Sequence, residues 1–544
     1  MTAAAQEATA QQGHGFSSAP LVRRLDAVPQ ITPAEIGQHP PALAPLTGVS
    51  RGVYAARKAR AANLRSPRPS DGPVEPGTPA QPGGALLTPG ASTNFTSTGE
   101  INCGNVTPAD QSIAVGDTTV GILQGINVCL DVYTKSGVLQ PGYPKSFTSF
   151  VGLPANTPTS DPRAMFDWIN RRYIVAFIQF NPNQTSASSY WIAVSTADDP
   201  AGSYCVYNLG VQSVAPSGGI FPLPDFPRLG QDRQAIYLAS NVFNTPVSYQ
   251  WEEILVLPKA QMYACQNISF PFFFNLNLGG VDTDTTQPAN VTNPGDDPRS
   301  EYLVTSLNIN FGGGECSGGC NGLIVWAIHD PLGSTTLTGT PLIATANNYS
   351  LPPSATQPGG ANSVDSGDTR ISGMAMYSAG SVYASINTNG GAGQPSFILY
   401  QIRPFINAAN GTIASAAILN EIPHVLGDAQ SFFYATQQPD VEGNVTTVFN
   451  FSDSNNFVGL AYVSRRAAQP LGTLPDNGIF LRNGAAFYNQ GRWGDYTAVA
   501  PSGLFSAGSA NPFPKMWFAG MFARSDGIWG TQIGQNGFTS ITEP

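Results

Sequence analysis

Charge is the scarcest ingredient of this chain of 544 residues. Asp, Glu, Lys and Arg make up 11% of it, against a usual share of about 25%. Helix formers of the Glu/Lys/Leu type are too thinly spread for a bundle. No run of about 18 apolar residues occurs, so the sequence holds no transmembrane helix. Only four histidines are present (His14, His39, His329, His424), and no Cys-x-x-Cys pair; structural zinc is not expected. A Gly-x-Ser-x-Gly elbow, a P-loop and a Rossmann glycine fingerprint are all missing, which leaves Ser-His-Asp catalysis and nucleotide binding without support.

Gly (58) and Pro (46) are abundant instead, and Asn, Ser and Thr take the surface role that Lys and Glu usually fill. That composition suits an extracellular β protein. The charge is unevenly spread: residues 1–99 carry a net +3 and residues 100–544 a net −13. An acidic body repels phosphates, so no nucleic-acid partner is expected. The basic stretch Arg51 to Arg68 reads as a solvated linker, or as a contact for an anionic surface.

Six cysteines, Cys103, Cys129, Cys205, Cys265, Cys316 and Cys320, form an even set that favours disulfides and an oxidising compartment. The expected pairs are Cys103–Cys129, Cys205–Cys265 and Cys316–Cys320, the last a short-loop disulfide or a redox-active pair. The opening residues MTAAAQEATAQQGHG contain no apolar h-region. The expectation is an extracellular or cell-surface protein whose signal has been removed; another export route, or a cytosolic chain with free thiols, stays open.

Two regions are expected. Residues 1–95 read as a leader or docking arm rich in Ala, Pro and Gly, mostly irregular, with a linker at Pro76 to Pro89. One short helix is expected at Pro33 to Gln38, with Thr32 as its N-cap. From residue 96 to 544, short β-branched and aromatic runs alternate with Gly/Pro/Asn/Asp turns, the pattern of strands and tight turns. Examples are Gly121 to Tyr133, Tyr173 to Phe180, Ala235 to Ser240, Phe397 to Ile402 and Met516 to Phe522.

A weak repeat organises these runs. Asp-bearing turns open successive units at Asp110, Asp161, Asp225, Asp297, Asp368, near Asp428 and at Asp495, spaced by 51, 64, 72, 71, 60 and 67 residues. Repeats of about 40–50 residues lengthened by loop insertion would give a β-propeller of seven four-stranded antiparallel blades. A pair of β-sandwiches is the alternative, but it leaves the recurrent Asp turns unexplained.

The pieces ADQSIAVGD, SDPRAMFDWINRRYIVAFIQF, IAVSTADDPAGSYCVYNL, DFPRLGQDRQAIYLASNVF, DSGDTRISGMAMYSAGSVYASINT and GRWGDYTAVAPSG with its closing IWGTQIG together resemble secreted bacterial β-propeller-like proteins, many of unassigned function. The resemblance implies a propeller and export; it implies no catalytic residue set. The sialidase-type Asp-box is absent (SDSNNF at Ser452 to Phe457 lacks its Gly and Trp), and so is the WD dipeptide.

Acid–Arg spacings recur at the unit starts: Asp161/Arg163, Asp297/Arg299, Asp368/Arg370 and, one residue looser, Asp225/Arg228. Residues two apart in a strand face the same side and can pair bidentately. Such pairs would either pin each turn to the neighbouring blade or line a polar funnel. In the second reading Arg163, Arg228, Arg299 and Arg370 contact ligand. Asp161, Asp225, Asp368 and Asp495 are then the candidate carboxylates for glycosidase chemistry, which needs two. Trp493 and Tyr496 could form a sugar platform or pack between blades. Asp282, Asp284, Asp296 and Asp297, with Asp365 and Asp368, offer oxygen ligands for calcium, though no EF-hand pattern is present. Three functions follow: an extracellular module binding glycan, peptide or matrix through a propeller face; a glycoside hydrolase; or a structural subunit self-assembling through the leader.

Overall fold

The computed structural model describes residues 8–15, 17–36, 53, 56–60, 87–181, 185–211, 221–245, 248–293, 295–307, 319–333, 335–424, 429–476, 478–502 and 515–538. The chain is all-β, as its composition suggests. Among the described residues, strands follow one another as antiparallel neighbours in seven consecutive groups, here called units. Their first strands are Ser112–Val115, Thr159–Asp167, Leu223–Gln231, Gln287–Val291, Ala375–Ser378, Gln430–Pro439 and Ala498–Ser502. Each first strand contacts the next, and the seventh contacts the first. Parallel bridges join the first strands of units three, four and five, merging them into one sheet of 15 strands.

The core lies between units rather than within any one. Separate apolar clusters join units one and two (Leu123, Phe147, Phe177), two and three (Ile192, Leu238), three and four (Tyr237, Trp326), and four and five (Val304, Ile386). Others join units five and six (Leu399, Phe449), six and seven (Leu460, Phe518), and seven and one (Trp517, Ile122). A strand buried on both faces loses the in–out alternation of a half-solvated sheet. Thr159–Asp167 and Val445–Asp453 are accordingly buried along their full length. First strands approach closely: a Cβ at Gly230 would lie 2.5 Å from the Ala289 carbonyl oxygen of the next unit.

The last unit is completed from the other end of the chain. Thr93–Gly99 pairs antiparallel with Trp529–Asn536, so the hydrogen-bonded edge of unit seven is filled by residues that precede unit one. Parts of residues 1–95, expected to be mostly irregular, also add strands. Ala8–His14 pairs with Pro271–Leu278 of unit three and touches Gly339 of unit four. Leu21–Arg24 extends unit two beside Ser203–Gly210. Both cover outer strands whose backbone groups would otherwise stay unpaired. The short helix Pro33–Ile36 is present. Thr32 and Glu35 form a reciprocal capping box, the Glu35 amide donating to Thr32 Oγ1 at 3.2 Å and the Thr32 amide to Glu35 Oε2 at 2.9 Å.

Cys103–Cys129 and Cys205–Cys265 are bonded, the first tying the segment after Thr93–Gly99 to unit one and the second tying unit two to unit three. Cys316 falls outside the described residues, and with it the third expected pair. No described helix is long and apolar enough to cross a membrane.

Candidate functional site

The parallel first strands bring their entrances to one end of the assembly. There the chain turns through the left-handed region at Asp110 (φ 39°), Asp161 (56°), Phe226 (52°), Thr285 (55°), Gly367 (72°) and Tyr434 (54°). Five of these are not glycine, and Thr285 is β-branched, so the conformation is held by surrounding bonds rather than by preference. Register shifts mark bulges at three of the turns, between Ser160 and Arg163, Asp225 and Arg228, and Phe433 and Thr436. A bulge re-aims side chains out of the pleat.

What holds the turns is a recurring asparagine that the sequence reading missed. Asn127 Oδ1 of unit one accepts the Asp161 amide at 2.7 Å. Asn241 Oδ1 of unit three accepts the Thr285 amide at 3.0 Å, and Asn387 Oδ1 of unit five accepts the Tyr434 amide at 2.8 Å. All three are buried. Each fixes the strained residue of the following unit.

The acid–Arg spacings resolve differently from one another. Asp368 and Arg370 form the expected bidentate pair, with Nη2 2.7 Å from Oδ2 and Nε 2.9 Å from Oδ1. The other three do not pair. Arg163 Nε donates to the Pro227 carbonyl of unit three at 2.8 Å, and Arg228 Nε to the Thr286 carbonyl of unit four at 2.9 Å. Arg228 takes Glu252 as its counter-ion at 2.6 Å. Asp297 meets Arg233 at 3.2 Å, while exposed Arg299 donates to the Ala408 carbonyl at 3.0 Å. At Asp161/Arg163 and Asp225/Arg228 a bulge separates side chains that regular strand geometry would have placed together. Two of these arginines pin neighbouring units, but through backbone carbonyls.

Asp161, Asp225, Asp368 and Asp495 do converge, and Asp110, Asp284 and Asp365 join them. Asp495 is held by Arg492 at 2.7 Å, and Arg492 also reaches Asp365 at 3.5 Å. The Asp495 amide donates to Asp110 Oδ1 at 2.8 Å, and the Phe226 amide to Asp161 Oδ2 at 3.1 Å. Asp225 is half-buried, and its carboxylate has no hydrogen bond or ion pair among the described residues. Burial and the neighbouring Asp495 and Asp161 hold Asp110 well above the usual carboxylate range. Asp225 is likewise raised, by burial and by Asp161, and Asp161 by burial and Asp495. Asp495 goes the other way: burial pushes it up, but Arg492 holds it below its ordinary value. Neighbouring carboxyls pushed apart in this way can divide the roles of proton donor and acceptor.

Guanidinium groups and aromatic rings stand among these carboxyls. Arg163 lies 3.4 Å from the Tyr496 ring centroid and 5.0 Å from that of Phe226, and Arg370 lies 5.2 Å from Phe226. Tyr496 donates its hydroxyl to the Pro162 carbonyl at 2.9 Å. Tyr496 is 1% exposed and Trp493 0%, Trp493 standing edge-on to Tyr488. Neither ring is a sugar platform; both pack between units.

The acidic loop expected to bind calcium is split by the strand Gln287–Val291. Asp284 lies before it, buried and pushed up to about 7 by its surroundings. Asp296 and Asp297 lie beyond it, where Asp296 Oδ2 accepts the Ala379 amide at 3.1 Å, and Asp282 is exposed. Among the described residues, no group of three or more acidic, His or Cys side chains could hold a metal. His424 is stacked on Phe397 at 4.4 Å, and burial lowers it to about 3.

Away from this end, Asp131 of unit one is fully buried, and burial raises it from 3.8 to about 7, with the Thr98 and Tyr133 hydroxyls opposing that rise. Between those values the folded chain keeps a proton that the unfolded chain releases, so this residue's contribution to stability is lost as the pH rises from about 4 to 7. Asp131→Asn is therefore expected to gain on the wild type as the pH is raised. Denaturation midpoints of both proteins at about pH 5 and pH 7.5 check this, and an unchanged difference contradicts it.

No family model and no curated protein sequence matches this chain. Among solved structures, a Hadza microbial sialidase is similar at 10% identity over 66% of this chain and 65% of that one, with a TM-score of 0.30. An exo-beta-1,3-galactanase from Phanerochaete chrysosporium is 12% identical over 84% and 97%, TM-score 0.29. Trypanosoma rangeli sialidase in complex with the inhibitor DANA is 8% identical over 79% and 58%, TM-score 0.32.

Proposed function

We propose that the chain is an exported, seven-bladed β-propeller of the secreted bacterial kind, and that it binds a glycan or protein ligand at the carboxylate-rich mouth formed by the entrances of its first strands. The propeller reading is supported by the cyclic order of first-strand contacts and by the apolar clusters between successive units. The observation that carries binding ahead of catalysis is how the carboxyls are held. Asp368 is paired with Arg370 and Asp495 with Arg492, Asp161 accepts the Phe226 amide, and Arg163 is stacked on Tyr496. Half-buried Asp225 is left to meet a ligand.

The test is a panel of immobilised polysaccharides, glycans and matrix proteins probed with the full chain. Saturable binding is expected, weakened about tenfold by Asp225→Ala, as loss of one hydrogen-bonding contact implies. No binding anywhere in the panel overturns the reading. A hydrolase reading is favoured by one observation, raised Asp225 beside lowered Asp495, which would serve as acid and base. Polysaccharide turnover abolished by Asp225→Asn would establish it in place of simple binding.

A further inference from the structure

A leader side chain occupies the edge of this mouth. Residues 56–60 are helical, and Lys58 within them is 4% exposed. Its Nζ donates to the Ser366 hydroxyl at 3.1 Å and to the Gly367 carbonyl, and lies 3.6 Å from Asp365 Oδ1. The three partners belong to one turn, which is braced without the lysine. Ser366 donates to the Pro353 carbonyl at 2.6 Å, the Gly367 amide donates to Asp365 Oδ1 at 3.1 Å, and Arg492 holds Asp365 Oδ2 at 3.5 Å.

A hydroxyl and a carbonyl that accept its hydrogens, with a carboxylate beside them, suit a primary ammonium. They do not match the planar fork of a guanidinium. These three groups come from unit five and its approach, whereas the lysine arrives on a separate segment whose next residues, Ala59 and Arg60, are exposed. Burial lowers the Lys58 ammonium to about 8, with Asp365 and Asp368 opposing that shift and Arg492 adding to it.

We infer that residues 365–367 form a primary-ammonium site that Lys58 fills in cis, and that the ligand of the mouth presents an alkylammonium group to the same site. This rests on the binding role proposed above and names the chemistry it recognises. The group can stand on a lysine side chain of a protein or on a small amine. Lys58 then excludes the ligand until it is displaced.

The experiment uses the full chain as wild type, Lys58→Ala and Lys58→Met, each first checked for its native β-sheet circular dichroism. The probes are n-butylammonium, Nα-acetyl-lysine amide and, as control, n-butyltrimethylammonium, which has no N–H donor. In calorimetry the Lys58→Ala protein should bind the two primary amines about tenfold more tightly than wild type does, and the control not at all; adding Asp365→Asn should remove that gain. In wild type, either primary amine should speed tryptic cleavage after Lys58. Preference for the lysine amide places the ligand's ammonium on a protein, and preference for butylammonium on a small amine. Folded Lys58→Ala and Lys58→Met proteins that bind neither amine, with cleavage after Lys58 unaffected in wild type, overturn the inference. A panel ligand that binds wild type and Lys58→Ala alike, undisturbed by amine, also overturns it while leaving the binding role intact. Amine binding with no panel ligand would overturn the binding role alone.

Discussion

Replacing Arg228 by methionine is expected to cost about 3–5 kcal/mol of folding stability at neutral pH, the usual penalty for stripping one partner from a buried ion pair. Arg228 and Glu252 are both 0% exposed and 2.6 Å apart. Arg228 also donates to the Phe226 carbonyl at 2.9 Å and to Asn241 Oδ1 at 3.3 Å, besides its staple to Thr286 in the next unit. Without it, Glu252 keeps only the Thr286 amide at 2.5 Å and the Thr286 hydroxyl at 2.7 Å. Burial already raises the Glu252 carboxyl, with Arg228 opposing that rise; removing Arg228 raises it further. An acid whose folded value is raised loses stability as pH rises through the interval above its unfolded value. The deficit of Arg228→Met should therefore be smaller near pH 5 than at pH 7. The pair is worth little against a well-packed apolar replacement, so Arg228→Met with Glu252→Leu should recover much of the loss. Urea midpoints at the two pH values measure all three proteins. An Arg228→Met protein as stable as wild type would show that the ion pair contributes nothing to joining units three and four.

The difference between what was readable and what was not lies in the bulges. Strand runs such as Tyr173 to Phe180 and Ala235 to Ser240 were legible because β-branched and aromatic residues between turn residues have a local cause. Gly121 to Tyr133 reads as one run but folds as a hairpin, Val120–Ile126 and Cys129–Thr134, turning at Asn127 and Val128. Asp110, Asp161, Asp225, Asp368 and Asp495 were legible as unit starts and do meet at one end. The fourth start was misplaced at Asp297, because DPRSEYLV imitates the motif while the turn is at Asp284 and Thr285. The sixth, near Asp428, falls outside the described residues, and Tyr434 holds the left-handed position there. Arg163 and Arg228 could not be paired correctly from spacing, since a bulge breaks the two-residue rule on which that pairing relied. Asn127, Asn241 and Asn387 left only a faint signal, an asparagine late in the second strand of units three and five and just past its end in unit one, hidden in an Asn-rich chain. The joining of Thr93–Gly99 to the C-terminal strand left none, because pairing across the whole length of the chain has no local trace.

Asn127 carries the other large expected effect. Its amide nitrogen donates to Asp110 Oδ2 at 2.8 Å and to the Pro108 carbonyl at 2.9 Å, and its oxygen accepts the Asp161 amide at 2.7 Å and the Ser160 hydroxyl at 3.3 Å. It is 0% exposed, so none of those partners could turn to water. Asn127→Ala leaves buried groups unsatisfied and removes the bond that fixes the left-handed Asp161, at an expected cost of roughly 3 kcal/mol. Asn127→Asp separates hydrogen bonding from mere shape. It keeps the size and the acceptor for Asp161, but turns the donor that faces Asp110 into a second acid. Asp110 is already held well above its usual range, so at least one of the two acids must stay protonated. Below about pH 4, with both acids protonated, Asn127→Asp should approach wild-type stability; near pH 7 it should fall to the level of the alanine variant or lower. Denaturant midpoints across that range check the slope. If the aspartate variant instead matches wild type at pH 7, the amide donor is dispensable, and the turn into unit two is held by packing around Pro162 rather than by Asn127.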